Sequence, residues 1–397
     1  MLNNANNSFT RNFWVDYLRS ALTVLVVAHH SALAYTTFAK FDKKTYIFST
    51  HPIVDSQRWV GIDLFQNFND VFFMSLMFLI GGLFLSKSID KKGVVNYVRD
   101  RIFRLLIPFF FLGTIFMLIA YFPSYYVANN KETGIVVFVY DFFHHQKWPS
   151  GPPWFIWVLF LFNLIGIPFQ FYFKKLNDKI AVVFDSFGKK PLFFFVVFYL
   201  FTWVVFVPLT MLVGPGIWVG YGPFDFQLSR ILLYFGYFTI GVLIGNSDFN
   251  KGIFSIQSGI VKNWKVWAFG ALVTYAVLIR SEEILTKAIA DGMLTVLNAH
   301  IIYWSVYVAS CVLSNLAFLT IFRNFMDMES IGWNLLNENA YLIYLLHYIF
   351  VIWIQFCLLS VSASAWSKFL LTFFFAFILS FLVSSFLRKI RLVNKYL

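Results

Sequence analysis

Trp14-Val15-Asp16-Tyr17-Leu18-Arg19-Ser20-Ala21-Leu22-Thr23-Val24-Leu25-Val26-Val27-Ala28-His29-His30-Ser31-Ala32-Leu33-Ala34-Tyr35 is the first long apolar stretch of the chain, and its reading decides the fold. It is rich in Leu, Val and Ala, and it has the length of about 20 residues that a helix needs to cross a bilayer. Yet Asp16 and Arg19 stand near its start, and His29 and His30 stand in its second half. An Arg, Lys or Asp at the centre of a membrane helix costs about 2.5–3.5 kcal/mol on insertion scales, and such groups persist where they face a polar cavity or a partner. Arg19 and His30 are about three helical turns apart, on one face and about 16 Å from each other. His29 points about 100° away from His30. One face of one helix therefore presents a cation near one membrane surface and an imidazole well below it.

The rest of the chain agrees. Of its 397 residues 59% are hydrophobic and 13% charged, and 53 are Phe. A soluble domain carries about 25% charged residues, so the composition excludes an ordinary soluble fold. The net charge of +12 would suggest nucleic acid in a soluble protein. Here it matches the excess of Lys and Arg on cytoplasmic loops, and no basic stripe with stacking aromatics supports nucleic-acid binding. Cys311 and Cys357 lie within apolar runs and make neither a disulfide framework nor a metal-ligand spacing. Ala32-Leu33-Ala34 resembles a signal-peptide cleavage site, but Arg19, His29 and His30 interrupt the stretch, which is longer than a usual signal core.

Ten apolar spans are expected, over residues 14–35, 69–88, 105–122, 154–173, 192–213, 229–245, 264–279, 298–322, 340–359 and 369–387. The reading is an all-α polytopic membrane protein, a single transmembrane domain over residues 1–397 with no fused soluble domain. Residues 1–12 read as a short polar tail. Polar or basic loops are expected at 40–61, 87–104, 123–153, 174–190 and 280–297, the last with room for a short amphipathic helix. With both termini cytoplasmic, 21 of the 31 basic residues fall on the inner side, as the positive-inside rule requires. This suits a multi-pass protein of a bacterial-type inner membrane.

Four groups of residues carry candidate chemistry. Arg19 and His30 come first: neutral imidazole accepts a hydroxyl proton near neutral pH, while helix packing and snorkelling of Arg19 form the plainer alternative. Arg101 and Arg104, preceded by Arg99, are spaced to share a helical face. Paired guanidiniums hold phosphates by charge-assisted bonds, but from charge alone inner-surface topology or anionic lipid is the better account. Tyr344 and His347 share a face of the ninth span, with packing and function both open. Gly151-Pro152-Pro153-Trp154 precedes Trp157. Interfacial Trp is a common membrane anchor, and an aromatic face also stacks on sugar rings. His144-His145 lack further Cys, Asp or Glu at ligand spacing, so no metal site is expected.

Taken together these pieces resemble the membrane-bound acyltransferase family 3. The resemblance rests on Asp16-x-x-Arg19 with His30 ten residues beyond, on Arg101-x-x-Arg104 before the third span, and on the late Tyr344-x-x-His347. The stretch from Gly151 to Trp157 is similar to the Trp-rich start of the fourth helix in relatives such as the glucan succinyltransferases of periplasmic glucan synthesis. One departure is Met74-Ser75-Leu76, where the family often has Ser-Gly after paired Phe; here the glycine pair, Gly81-Gly82, comes later.

The resemblance implies a membrane O-acyltransferase. It would move an acetyl or succinyl group from cytoplasmic acyl-CoA to a hydroxyl of an extracytoplasmic or lipid-linked glycan in the cell envelope. His30 would act as general base, with Arg19 and Asp16 in support. Arg101 and Arg104 would hold the donor phosphates. His347, Tyr344 and Trp154 would position the acceptor. Acyl-CoA would be a substrate, with no cofactor tightly bound and no metal, and the surroundings would be membrane lipid. A transporter or flippase for a glycan or lipid-linked intermediate is the rival class, since polar groups at bilayer depth also mark substrate pathways. No internal half-repeat and no matching pair of Gly/Pro-broken helices supports it. A non-catalytic scaffold is the third class, in which His30 matters only for folding.

Overall fold

A computed structural model describes residues 11–130, 134–146, 148, 151–245 and 249–397. Most of the polar tail 1–12 therefore lies outside the described residues. Each expected span lies on a helix. In chain order the long helices are α1 (Phe13–Leu33), α2 (Val60–Leu83), α3 (Val94–Ala128), α4 (Trp154–Lys175), α5 (Pro191–Val213), α6 (Leu228–Gly245), α7 (Trp264–Ala290), α8 (Val296–Phe325), α9 (Ile331–Leu358) and α10 (Ala365–Leu387). Among the described residues eight helices are long and apolar enough to cross a membrane. The two others of the ten, α1 and α7, have the length but carry more polar residues. The outward faces are apolar, as on α5 with Phe193, Leu200, Val204 and Leu212 exposed, which suits contact with lipid. The protein is a helical, multi-pass membrane protein.

Helix ends follow local chemistry. Pro191 opens α5, where a missing N–H costs nothing. Thr295 and Ser364 cap α8 and α10 by accepting from the backbone N–H of Asn298 and Ser367 at 3.2 Å. The basic stretch 87–104 is helical and not a loop: Leu85–Lys92 prolongs α2, and the chain then turns into α3 at Gly93, whose φ of 74° a Cβ would strain. Much of 174–190 is also a helix, Asn177–Lys189, and the loop 123–153 carries another, Ile135–His144. Helix α7 runs on to Ala290, so the segment after residue 279 continues a long helix. Helix α2 begins nine residues before its expected start, because Gln66 and Asn69 are turned inward and buried.

Close packing depends on small residues. A Cβ on Gly82 would lie 2.1 Å from the Phe238 carbonyl oxygen, and one on Gly241 would lie 2.0 Å from that of Leu79. Glycine lets the α2 and α6 backbones touch, as small-residue interfaces do in membranes. Gly82, the second of the late glycine pair noted in the sequence, thus supplies one half of this contact.

Helix α3 contains two wide π turns, Ile102–Leu106 and Leu112–Phe116. Two prolines release carbonyls along it, since proline has no N–H for the carbonyl four residues earlier and its ring crowds that group. Pro108 releases the Arg104 carbonyl, which accepts from the Tyr341 hydroxyl. Pro123 releases the Ile119 carbonyl, which accepts from Trp353 Nε1 at 2.9 Å. Both donors belong to α9, so two backbone interruptions become two ties between α3 and α9.

The segment between α1 and α2 is an ordered cap. Asp55 and Lys368 of α10 form an ion pair at 2.7 Å with both side chains 1% exposed. The Asp55 amide donates to the Ala34 carbonyl at 2.9 Å, and Tyr46 donates to Asp141 at 2.8 Å.

Candidate functional site

Helix α1 sits between α2, α9 and α10. At its start Asp16 lies between two cations, 2.9 Å from Arg11 Nε and 3.5 Å from Arg19 Nη2. Arg19 also donates to Asn337 Oδ1 of α9 at 2.7 Å and keeps 44% side-chain exposure. The nearby Tyr17 hydroxyl accepts from the Ser330 amide at 3.0 Å and donates to Asn334 at 3.0 Å. This end of α1 is thus fastened to the start of α9.

Arg101 and Arg104 flank the first part of the wide turn in α3. Arg101 is partly buried and its guanidinium stacks 4.8 Å from the Tyr97 ring centroid, whereas Arg104 is exposed. Asp100 pairs with Lys92. Among the described residues neither Arg101 nor Arg104 forms an ion pair, and Arg104 lies within electrostatic reach of Arg19. Cations of α1 and α3 therefore gather at one end of the bundle.

Further along α1, His30 meets His347 of α9. Their ring centroids are 5.2 Å apart with planes inclined at 34°. His347 is fully buried, and its Nδ1–H donates to the Tyr344 carbonyl at 2.6 Å. That bond leaves the neutral ring with its lone pair on Nε2. His347 Nε2 and His30 Nδ1 are both buried without a hydrogen-bond partner among the described residues. Tyr348 completes the group, 5.3 Å from the His30 centroid and 6.0 Å from that of His51.

Tyr344 turns elsewhere. Its hydroxyl donates to the Pro152 carbonyl and so ties α9 to the turn that starts α4. Gly151 takes φ 55° there, and a Cβ would meet Met117 Sδ at 2.4 Å. Trp154 follows and packs against Trp218 and Tyr234, with centroids 5.5 and 5.7 Å away. His144 stacks on Tyr140 at 4.2 Å, and His145 faces Asp141 at 3.2 Å. The structure thus unites His30 with His347, sets Asp16 beside Arg19, and puts Tyr344 and Trp154 around a neighbouring turn.

Three residues of this neighbourhood escaped the sequence reading. His51, in the cap, is 1% exposed and lies 2.7 Å from Gln355 Oε1 through Nε2. Gln355 in turn donates to the carbonyls of His30 and Ser31 at 3.2 Å each. Those two bonds commit the amide nitrogen, so the Gln355 oxygen faces His51 and His51 Nε2 carries the proton. Gln66 of α2 is buried against His29. Amides inside apolar helices are a usable signal for Gln66 and Gln355; His51 sits in a polar loop and has none.

The family model described as "Acyltransferase domain" (Acyl_transf_3) matches residues 12–388. The chain belongs to acyltransferase family 3. The resemblance read from the Arg, His and Tyr motifs is therefore confirmed over nearly the whole chain. Among similar proteins, Glucans biosynthesis protein C of Salmonella schwarzengrund is 23% identical over 236 residues, 59% of this chain and 58% of that protein. Glucans biosynthesis protein C of Salmonella typhi is 23% identical over 239 residues, with the same shares. The match thus spans 58% of the length of these curated relatives. No solved structure matches the chain. In this family 3 member, among the described residues, the imidazoles of His30 and His347 meet deep in the bundle while the cations of α1 and α3 gather at one end.

Proposed function

We propose that the chain moves an acyl group, acetyl or succinyl, from cytoplasmic acyl-CoA to a hydroxyl of an extracytoplasmic or lipid-linked glycan, in a bacterial inner membrane with both termini cytoplasmic. The observation that carries this reading is the pair of partly buried His30 and fully buried His347, each with a buried ring nitrogen left unpartnered. Family membership supports acyl transfer, and the name of the similar Salmonella proteins supports a glucan-related acceptor.

In this reading Arg101 and Arg104 hold the donor phosphates, and Arg19, steadied by Asp16 and Asn337, orients the donor. His30 accepts the proton of the acceptor hydroxyl at Nδ1. The oxygen attacks the thioester carbonyl, the C–O bond forms and the C–S bond breaks. The proton on His30 then passes to the departing thiolate, so free CoA leaves and His30 is neutral again. His347 shapes the other wall of the site, with the Trp154 turn beside it for the acceptor. The test is release of free thiol from acetyl-CoA and succinyl-CoA by purified protein, with and without a soluble gluco-oligosaccharide. Acceptor-stimulated thiol release is expected. Glycan movement across vesicles with no thiol release would instead favour a flippase.

A further inference from the structure

On the side of α1 facing α2, a second set of polar groups is enclosed next to the histidine pair. His29 is 7% exposed, Gln66 7% and Asn69 1%. Gln66 Nε2 lies 3.4 Å from His29 Nε2. His29 Nδ1, Gln66 Oε1 and Asn69 Nδ2 are all buried, and none has a hydrogen-bond partner among the described residues. Gln66, Asn69 and Phe73 follow at three- and four-residue steps along α2, so they share one face. The Phe73 ring centroid, 5.0 Å from that of His29, shows that this face meets α1. Beside Asn69, Asp70 pairs with Arg230 at 2.6 Å and keeps 40% side-chain exposure.

A buried polar atom without a partner costs about 1–3 kcal/mol, and an apolar side chain of similar shape would remove that cost. Three such atoms on two facing helices therefore point to a polar molecule that completes them. Their chemistry is mixed: Gln66 Oε1 accepts and Asn69 Nδ2 donates, and because the Gln66 amide nitrogen donates to His29 Nε2, the neutral His29 ring carries its proton on Nδ1 and donates there. A phosphate or carboxylate matches donors alone, and a metal cation matches acceptors alone. A sugar hydroxyl both donates and accepts, so it matches this set. The position fits as well. Gln66 is in the second turn of α2, at the end near the cap, whereas Arg101 lies beyond the other end of α2. The patch thus lies at the depth of His30, away from the end of the bundle that carries Arg101 and Arg104.

We infer that His29, Gln66 and Asn69 form a subsite that binds a hydroxylated ring of the acceptor glycan beside His30. The inference rests on the acyl-transfer reading for the identity of the glycan as acceptor. Its test needs no acyl donor: calorimetric titration of a soluble gluco-oligosaccharide into the purified full chain, for the parent, Gln66→Leu and Asn69→Leu. Each change should weaken Kd about tenfold or more, the loss of one good buried hydrogen bond. Each variant should unfold at or above the parent temperature, since a costly buried polar group has gone. Equal affinity in parent and variants overturns the subsite, as does a parent that does not bind. Lost binding with a lowered unfolding temperature assigns the groups to folding and also overturns it. Gln66→Asn, which keeps the amide but draws it back, gives an independent measure: weakened binding supports direct contact, and unchanged binding opposes it. Free-thiol release from acyl-CoA is read separately. Sugar binding that depends on Gln66 without any thiol release by the parent sinks the acyl-transfer reading and leaves the subsite standing. Thiol release with parent-like sugar affinity in both Leu variants sinks the subsite alone.

Discussion

His30 and His347 face each other across the α1–α9 contact with ring centroids 5.2 Å apart. His29, the next residue along α1, turns instead toward Gln66 and Phe73. Adjacent histidines therefore serve different walls, and their substitutions should separate. His30→Ala should lower acyl transfer about a hundredfold or more, within the usual range for loss of acid–base catalysis. His29→Ala should lower the saturated rate much less. Free-thiol release by the purified proteins is the measurement, and equal rates for the parent and His30→Ala would remove His30 from the mechanism.

Arg101 and Arg104 stand at the other end of the bundle. Phosphate contacts far from the reacting carbonyl act alike in ground and transition states, so their loss should appear mainly in KM. Arg101→Ala with Arg104→Ala should raise KM for the acyl-CoA about tenfold or more and lower the saturated rate by a smaller factor. A lowered kcat at unchanged KM would assign these arginines to another role.

The same end should face the cytoplasm. Residues 87–104 hold six basic side chains against Asp90 and Asp100. A cysteine introduced by Lys91→Cys should resist an impermeant thiol reagent in intact cells and react after the membrane is opened. Labelling from outside would overturn the topology and the donor site together.

The cap depends on the Asp55–Lys368 ion pair, where both side chains are 1% exposed. Removing one partner of such a pair leaves a buried charge and costs about 3–5 kcal/mol. Lys368→Met should lower the thermal unfolding temperature in detergent markedly. Asp55→Leu combined with Lys368→Met should recover most of the loss, because no charge is then left alone. A double variant no better than the single one would show that the pair does not act as a unit.

His51, in the cap, gives a pH signature. Burial pushes its pKa down from 6.5 to about 4. The unfolded chain takes up this proton between those values while the folded chain does not. Stability from neutral His51 is therefore fully present above pH 6.5 and is lost as pH falls toward 4. The contribution is about 3 kcal/mol at most. His51→Gln should flatten the fall of unfolding temperature over this range relative to the parent. Parallel curves for the two proteins would show that His51 does not carry the effect.

Much of this protein is decided by the sequence alone. Ten apolar stretches separated by polar ones specify a helical membrane fold, because only helices or closed barrels satisfy the backbone in lipid. Arg19, His30, Tyr344 and His347 announce themselves because ionisable and polar groups are costly among such neighbours, whereas Arg101 and Arg104 stand out only by their spacing in a basic stretch. Helical spacing also puts His29 and His30 on different faces. What those faces meet is another matter. The approach of His347 to His30 joins residues more than 300 positions apart, and no local period encodes it. The cap over α1 depends on Asp55 finding Lys368 and His51 finding Gln355, which only the packing of α9 and α10 brings about. The carbonyls of Arg104 and Ile119 are released by the nearby prolines, a local effect. That Tyr341 and Trp353 take them up was decided by the tertiary structure, since a freed carbonyl in a membrane helix accepts from whichever donor the neighbouring helix places within reach.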